Sequence, residues 1–114
     1  MKNDIAIAMA SKMIDILTEA TGKDASNFEI RNIDEDLNHK TFTIEFIAYN
    51  FYWIGIDYER GRITPYIITG SHIIKLRNLS DWWEEMDLDS WTDRLMAEIR
   101  LRIPDKYLTE KNWK

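Results

Sequence analysis

The spacing of apolar residues along this chain changes period twice. Across residues 3–21, Ile5, Met9, Met13, Ile16, Leu17 and Ala20 follow the three-and-four rhythm of one helical face. Asn3 or Asp4 is placed to cap the start of this helix, and Gly22 to close its end in a left-handed conformation. Residues 23–27 read as a loop. The period then drops to two. Phe28, Ile30 and Asn32 alternate in a first strand that ends at the polar turn Asp34-Glu35-Asp36-Leu37-Asn38. Phe42, Ile44, Phe46 and Ala48 share one parity in a second strand, with Thr41, Thr43 and Glu45 on the other, as in a half-buried antiparallel strand. Tyr52, Ile54, Ile56 and Tyr58 make a third strand, residues 63–69 a fourth and residues 72–77 a short fifth.

Turn chemistry sharpens the picture. Glu59-Arg60-Gly61 reads as a three-residue hairpin loop with Gly61 at positive φ. Pro65 lacks a backbone donor, which predicts an edge position or a bulge for the fourth strand. Helical spacing returns after Leu79. Ser80 followed by Asp81 and Glu84 predicts a helix start, and Ser90 with Asp93 has the form of a capping box. Trp91, Leu95, Ile99 and Ile103 line the core side, and Pro104 ends the helix or opens a short terminal turn. The expected fold is α+β: an N-terminal helix, an antiparallel sheet of four to five strands, and one or two C-terminal helices packed on the sheet. Residues 1–114 are expected to form a single domain.

Composition changes this picture only at the margins. A length of 114 residues suffices for a core without disulfides or metals. The absence of cysteine excludes disulfides, thiolate metal sites and cysteine nucleophiles, and fits a reducing compartment. The apolar run of residues 5–10 is too short for a secretory signal and follows Asp4 where a basic leader belongs. Elsewhere no stretch has the ~18 apolar residues of a membrane span. A cytoplasmic protein without membrane contact is expected.

Charge is more informative. The net charge is −5, and residues 80–93 hold six carboxylates and no base, whereas residues 94–114 hold three acids and six bases. This balance argues against direct nucleic-acid binding, which needs clustered cations. Catalytic signals are weak. His39 falls in a turn, and His72 shares parity with Ile74 and Leu76, which reads as a core histidine. No nucleophile elbow, phosphate loop or dinucleotide fingerprint occurs, and Asp87-x-Asp89 fails as a calcium loop because Thr92 stands where glycine is required. No catalytic residue, cofactor or metal site is expected.

Two surfaces stand out instead. The first is the acidic segment Asp81, Trp82, Trp83, Glu84, Glu85, Asp87 and Asp89. Adjacent tryptophans on a helix lie about 100° apart, so one packs inward and the other is left to anchor a partner. The second is the far side of the sheet, where parity sends Phe51, Trp53, Gly55 and Asp57 outward with Tyr66, Ile68, Thr43 and Glu45. If both helices cover one face, Trp53 and Tyr66 remain for a partner; a helix on each face, or a homodimer, are the alternatives that bury them.

A small, acidic, cysteine-free α+β chain rich in Trp and Tyr resembles the immunity proteins of bacterial toxin systems, both contact-dependent growth inhibition and nuclease bacteriocins. The resemblance covers the whole chain in character and rests on no diagnostic motif. It implies a protein-binding inhibitor, not an enzyme, that neutralises a cognate toxin, often a basic nuclease, by covering its active site or an exosite. Two alternatives accompany it. One is an acidic phage or plasmid inhibitor of a host nuclease or defence complex. The other is a small enzyme or ligand-binding domain with His72, Tyr52 or Glu45 inside a pocket.

Overall fold

The computed structural model describes residues 5–36 and 39–110. Helix α1 (Ala6–Thr21) is followed by a short 3₁₀ turn and five strands: β1 (Ala25–Asp34), β2 (Thr41–Ala48), β3 (Tyr52–Glu59), β4 (Arg62–Thr69) and β5 (His72–Lys75). A second 3₁₀ turn leads to the two-residue strand β6 (Asp81–Trp82), and helices α2 (Leu88–Leu101) and α3 (Asp105–Glu110) complete the chain. The sheet is antiparallel in the order β1-β2-β3-β4-β5, with β6 added to β4. This is an α+β architecture, and no helix among the described residues is long and apolar enough to cross a membrane.

Burial follows the predicted parity. Phe42, Ile44, Phe46 and Ala48 of β2, Ile54 and Ile56 of β3, and Ile63 and Ile67 of β4 face the helices and are buried. Met9, Met13 and Leu17 of α1 and Trp91, Leu95 and Ile99 of α2 complete the same cluster. Both long helices therefore cover one face of the sheet, and among the described residues the other face is left open. Gly22 closes α1 at φ 56°, with its N–H on the Thr18 carbonyl. At the other end of α1, Asn3 and Asp4 lie outside the described residues. The cap observed there is Glu35, whose carboxylate accepts the Ala6 and Ile7 N–H groups at 2.6 and 3.1 Å.

Four local expectations are corrected. Strand β1 begins at Ala25, so the loop expected over residues 23–27 is mostly strand. The β3–β4 hairpin has two loop residues, because Glu59 pairs with Arg62; Arg60 (φ 52°) and Gly61 (φ 86°) both take the positive φ that such a turn requires. Pro65 is in an interior strand. Its carbonyl accepts the Leu76 N–H at 2.9 Å, so its donor-less nitrogen faces the same side, in the gap between β5 and β6. Finally, residues 80–86 are not helical. The Ser80 hydroxyl is engaged with the sheet, accepting from Arg62 Nε at 2.9 Å and donating to the Ile63 carbonyl at 3.2 Å, and α2 starts after Asp87. Ser90 consequently sits inside the first turn of α2 and does not cap it.

Candidate docking surfaces

Strand β6 is what positions the two adjacent tryptophans. Trp82 pairs with Arg62 and Asp81 with Ile63, and the Trp83 N–H donates to the Gly61 carbonyl at 2.8 Å. On an extended backbone successive side chains point to opposite faces, so the pair separates by strand alternation and not by the 100° step of a helix. Trp83 turns inward, edge-on to Phe42 (6.5 Å between centroids) and Tyr58 (6.1 Å), which themselves stack at 5.0 Å. Trp82 turns outward and stays 46% exposed. The Arg62 guanidinium lies 5.1 Å from its ring centroid, and the Asp81 carboxylate accepts the Trp82 N–H at 2.7 Å.

The carboxylates of this segment remain at the surface. Glu84, Glu85, Asp87 and Asp89 are exposed, and Asp89 lies in the first turn of α2, where the helix dipole favours a negative charge. The fold also brings cations to them from distant parts of the chain. Lys40 and Arg60 share an open cleft of about 390 Å³ with Met9, Trp82, Trp83, Glu84 and Glu85. Lys12 borders a neighbouring cleft of about 290 Å³ with Trp83, Glu84 and Met86. The segment that reads as purely acidic in sequence is therefore a mixed surface in space. Only the β6 pairing reveals Arg62 as a member of it, and no local pattern announces a two-residue strand.

The open face of the sheet is the second surface. Tyr66 is less available there than its parity suggests. Its ring lies directly over Gly55, where a Cβ would come within 2.3 Å of the ring carbons. Its hydroxyl donates to Asp57 Oδ1 at 3.1 Å, and the Thr43 hydroxyl donates to the same oxygen at 2.9 Å. Burial, the Asp57 charge and hydrogen bond, and then Glu45 hold the Tyr66 phenol well above the usual range. Trp53 has no such commitment among the described residues and is 41% exposed.

Register extends Trp53 into a row. Ile47 stands opposite Trp53, Trp53 opposite Ile68, and Ile68 opposite Ile73, so four strands contribute one large apolar side chain each. Ile47 and Ile73 were absent from the expected cluster, although the outward parity of Ile47 was readable in β2. The neighbouring row is polar: Glu29, Glu45, Gly55, Tyr66 and Lys75. Arg31 bridges its two acids at 3.3 and 3.4 Å.

The residues expected of a pocket diverge. His72 is exposed on the edge strand β5, not in the core, because nothing covers that end of the sheet among the described residues. Glu45 faces the open side, and the Tyr52 hydroxyl donates to the Arg102 carbonyl at 3.2 Å. His39, two residues before β2, meets Glu59 at the end of β3 at 2.6 Å, a partner too distant in sequence to be foreseen. Comparison of the chain with protein-family models, with curated proteins and with solved structures found no match.

Proposed function

We propose that this chain is a protein-binding inhibitor that docks through Trp82 onto a basic domain of a bacterial toxin and covers that domain's active site or an exosite. The observation that carries this reading is a large aromatic side chain held half exposed on a locked backbone. Trp82 is fixed by β6 pairing, by the Arg62 guanidinium and by Asp81. An anchor ordered before binding loses little entropy on docking, and tryptophan is the residue type most enriched at interface hot spots.

The surrounding charge adds a small acidic excess in favour of a basic partner, since Lys12, Lys40, Arg60 and Arg62 stand among the carboxylates. Glu84, Glu85, Asp87 and Asp89 are exposed around the anchor on a chain of net charge −5, an arrangement that steers a cationic surface during encounter. The class of partner, a toxin, comes from the resemblance in character to immunity proteins. Lys12, Lys40, Arg60 and Arg62, interleaved with these acids, favour a protein surface of mixed charge over imitation of a polyphosphate backbone. The divergence of His72, Tyr52 and Glu45 favours docking over a pocket.

The test is capture from the native host with this chain as bait, followed by mixing of the chain with the basic protein so captured. The expected result is a one-to-one complex, loss of toxin activity, and an association rate falling about tenfold between roughly 0.05 and 0.5 M salt. Toxin activity that persists in the presence of excess chain would overturn the reading.

A further inference from the structure

We propose that the open face of the sheet is a homodimer interface in which two copies pack face to face about a twofold axis running along β3. The proposal starts from the row Ile47, Trp53, Ile68 and Ile73, which crosses β2 to β5 without a polar interruption. Trp53 is 41% and Ile73 52% exposed, and both helices that bury apolar surface are on the other side of the sheet. Inner faces of stacked sheets carry such rows, with strands of the two layers nearly aligned.

The charges beside the row select the occupant. In the next row Glu29 and Glu45 occupy the β1 and β2 end, a net single negative charge with Arg31 bridging them, and a cation occupies the β5 end, as Lys75. Lys75 makes no ion pair among the described residues. A twofold axis along β3 lays β1 of one copy over β5 of the other while keeping each row over itself. Trp53 then meets its own counterpart near the axis, Ile47 meets Ile68, and Glu29 and Glu45 come over Lys75 and Tyr66. An axis perpendicular to the strands would instead stack the acidic strands on each other. A basic partner gains little here, because Arg31, Arg62 and Lys75 offset the acids of this face. A second copy matches it in sign.

Trp82 is on this same face of the sheet but at the other end of β4 from the apolar row. Trp82 stands opposite Arg62, six positions along β4 from Ile68, or roughly 20 Å.

Sedimentation equilibrium of the full chain at about 100 μM tests the proposal. The expected mass is twice the 13.6 kDa of one copy. Trp53→Ala is expected to weaken the dimer at least tenfold. Glu29→Lys, on an exposed position that leaves folding intact, is expected to weaken it as well, and adding Lys75→Glu to Glu29→Lys to restore it. A monomeric wild type, a dimer indifferent to both single changes, or a Glu29→Lys defect that Lys75→Glu leaves in place would overturn the proposal. Docking of a toxin domain that buries Trp53 on a monomer would overturn it too. None of these readings depends on whether Trp82 binds a toxin.

Discussion

The carboxylate of Glu35 accepts the backbone N–H of Ala6 at 2.6 Å, joining the turn after β1 to the start of α1 across 29 residues. The same carboxylate takes the Ile7 N–H at 3.1 Å, so one side chain satisfies two of the donors that every helix start leaves unpaired. Ile5, at the N-cap position, has no side chain able to make such a bond.

Glu35→Ala is accordingly expected to cost about 1 kcal/mol of stability, the usual value of a lost cap. Glu35→Gln keeps an acceptor but loses the charge that favours the helix dipole, and is expected to cost about half as much. Urea unfolding of the three proteins checks this, and an unchanged midpoint for Glu35→Ala would show that the contact contributes nothing.

Tyr66 supplies a pH dependence. Its phenol ionises at higher pH when folded than when unfolded, first because it is buried and then because Asp57 is close by. The folded chain therefore holds this proton more tightly. Its contribution is complete below about pH 10, the unfolded phenol value, and is lost as pH rises from there through the folded value. In a phenolate titration of the five tyrosines, Tyr66 is expected to ionise last. Asp57→Asn removes the negative charge and brings that last step to lower pH. A titration curve identical in the two proteins would contradict the assignment.

The two adjacent tryptophans are expected to behave oppositely on unfolding. Trp83 packs against Phe42 and Tyr58, and Trp83→Ala is expected to cost about 2–3 kcal/mol. Trp82 gives up mainly its contact with Arg62, so Trp82→Ala is expected to cost about 1 kcal/mol or less. Thermal or urea melts of the pair decide it, and equal losses would mean that the inward and outward assignments are wrong.

What the sequence made legible was the periodic part of the fold. Residues 42–48 and 52–58 alternate because one face packs on the helices and the other does not, and Trp91, Leu95 and Ile99 recur at four because α2 lies on the packed face, with Ile103 just past its end. Residues 80–86 were misread for the opposite reason. Ser80, Asp81 and Glu84 have the composition of a helix start, yet the edge of β4 offers hydrogen bonds to Trp82 and Asp81 that no local pattern encodes. The same tertiary pairing carries the candidate site, since it turns Trp82 outward beside Arg62 and Trp83 inward. His72 was misplaced because parity identifies which face a residue is on, whereas only topology tells that β5 is the last strand and lies beyond the helices.

The most direct measurement of the docking account is a calorimetric titration of the cognate toxin domain with Trp82→Ala beside the unaltered chain. An exposed anchor at the centre of the interface is expected to be worth about 2 kcal/mol or more, so the variant should bind about 30-fold more weakly while melting nearly as the parent does. Equal affinities for the two proteins would contradict the claim that this chain acts by presenting Trp82 to a partner.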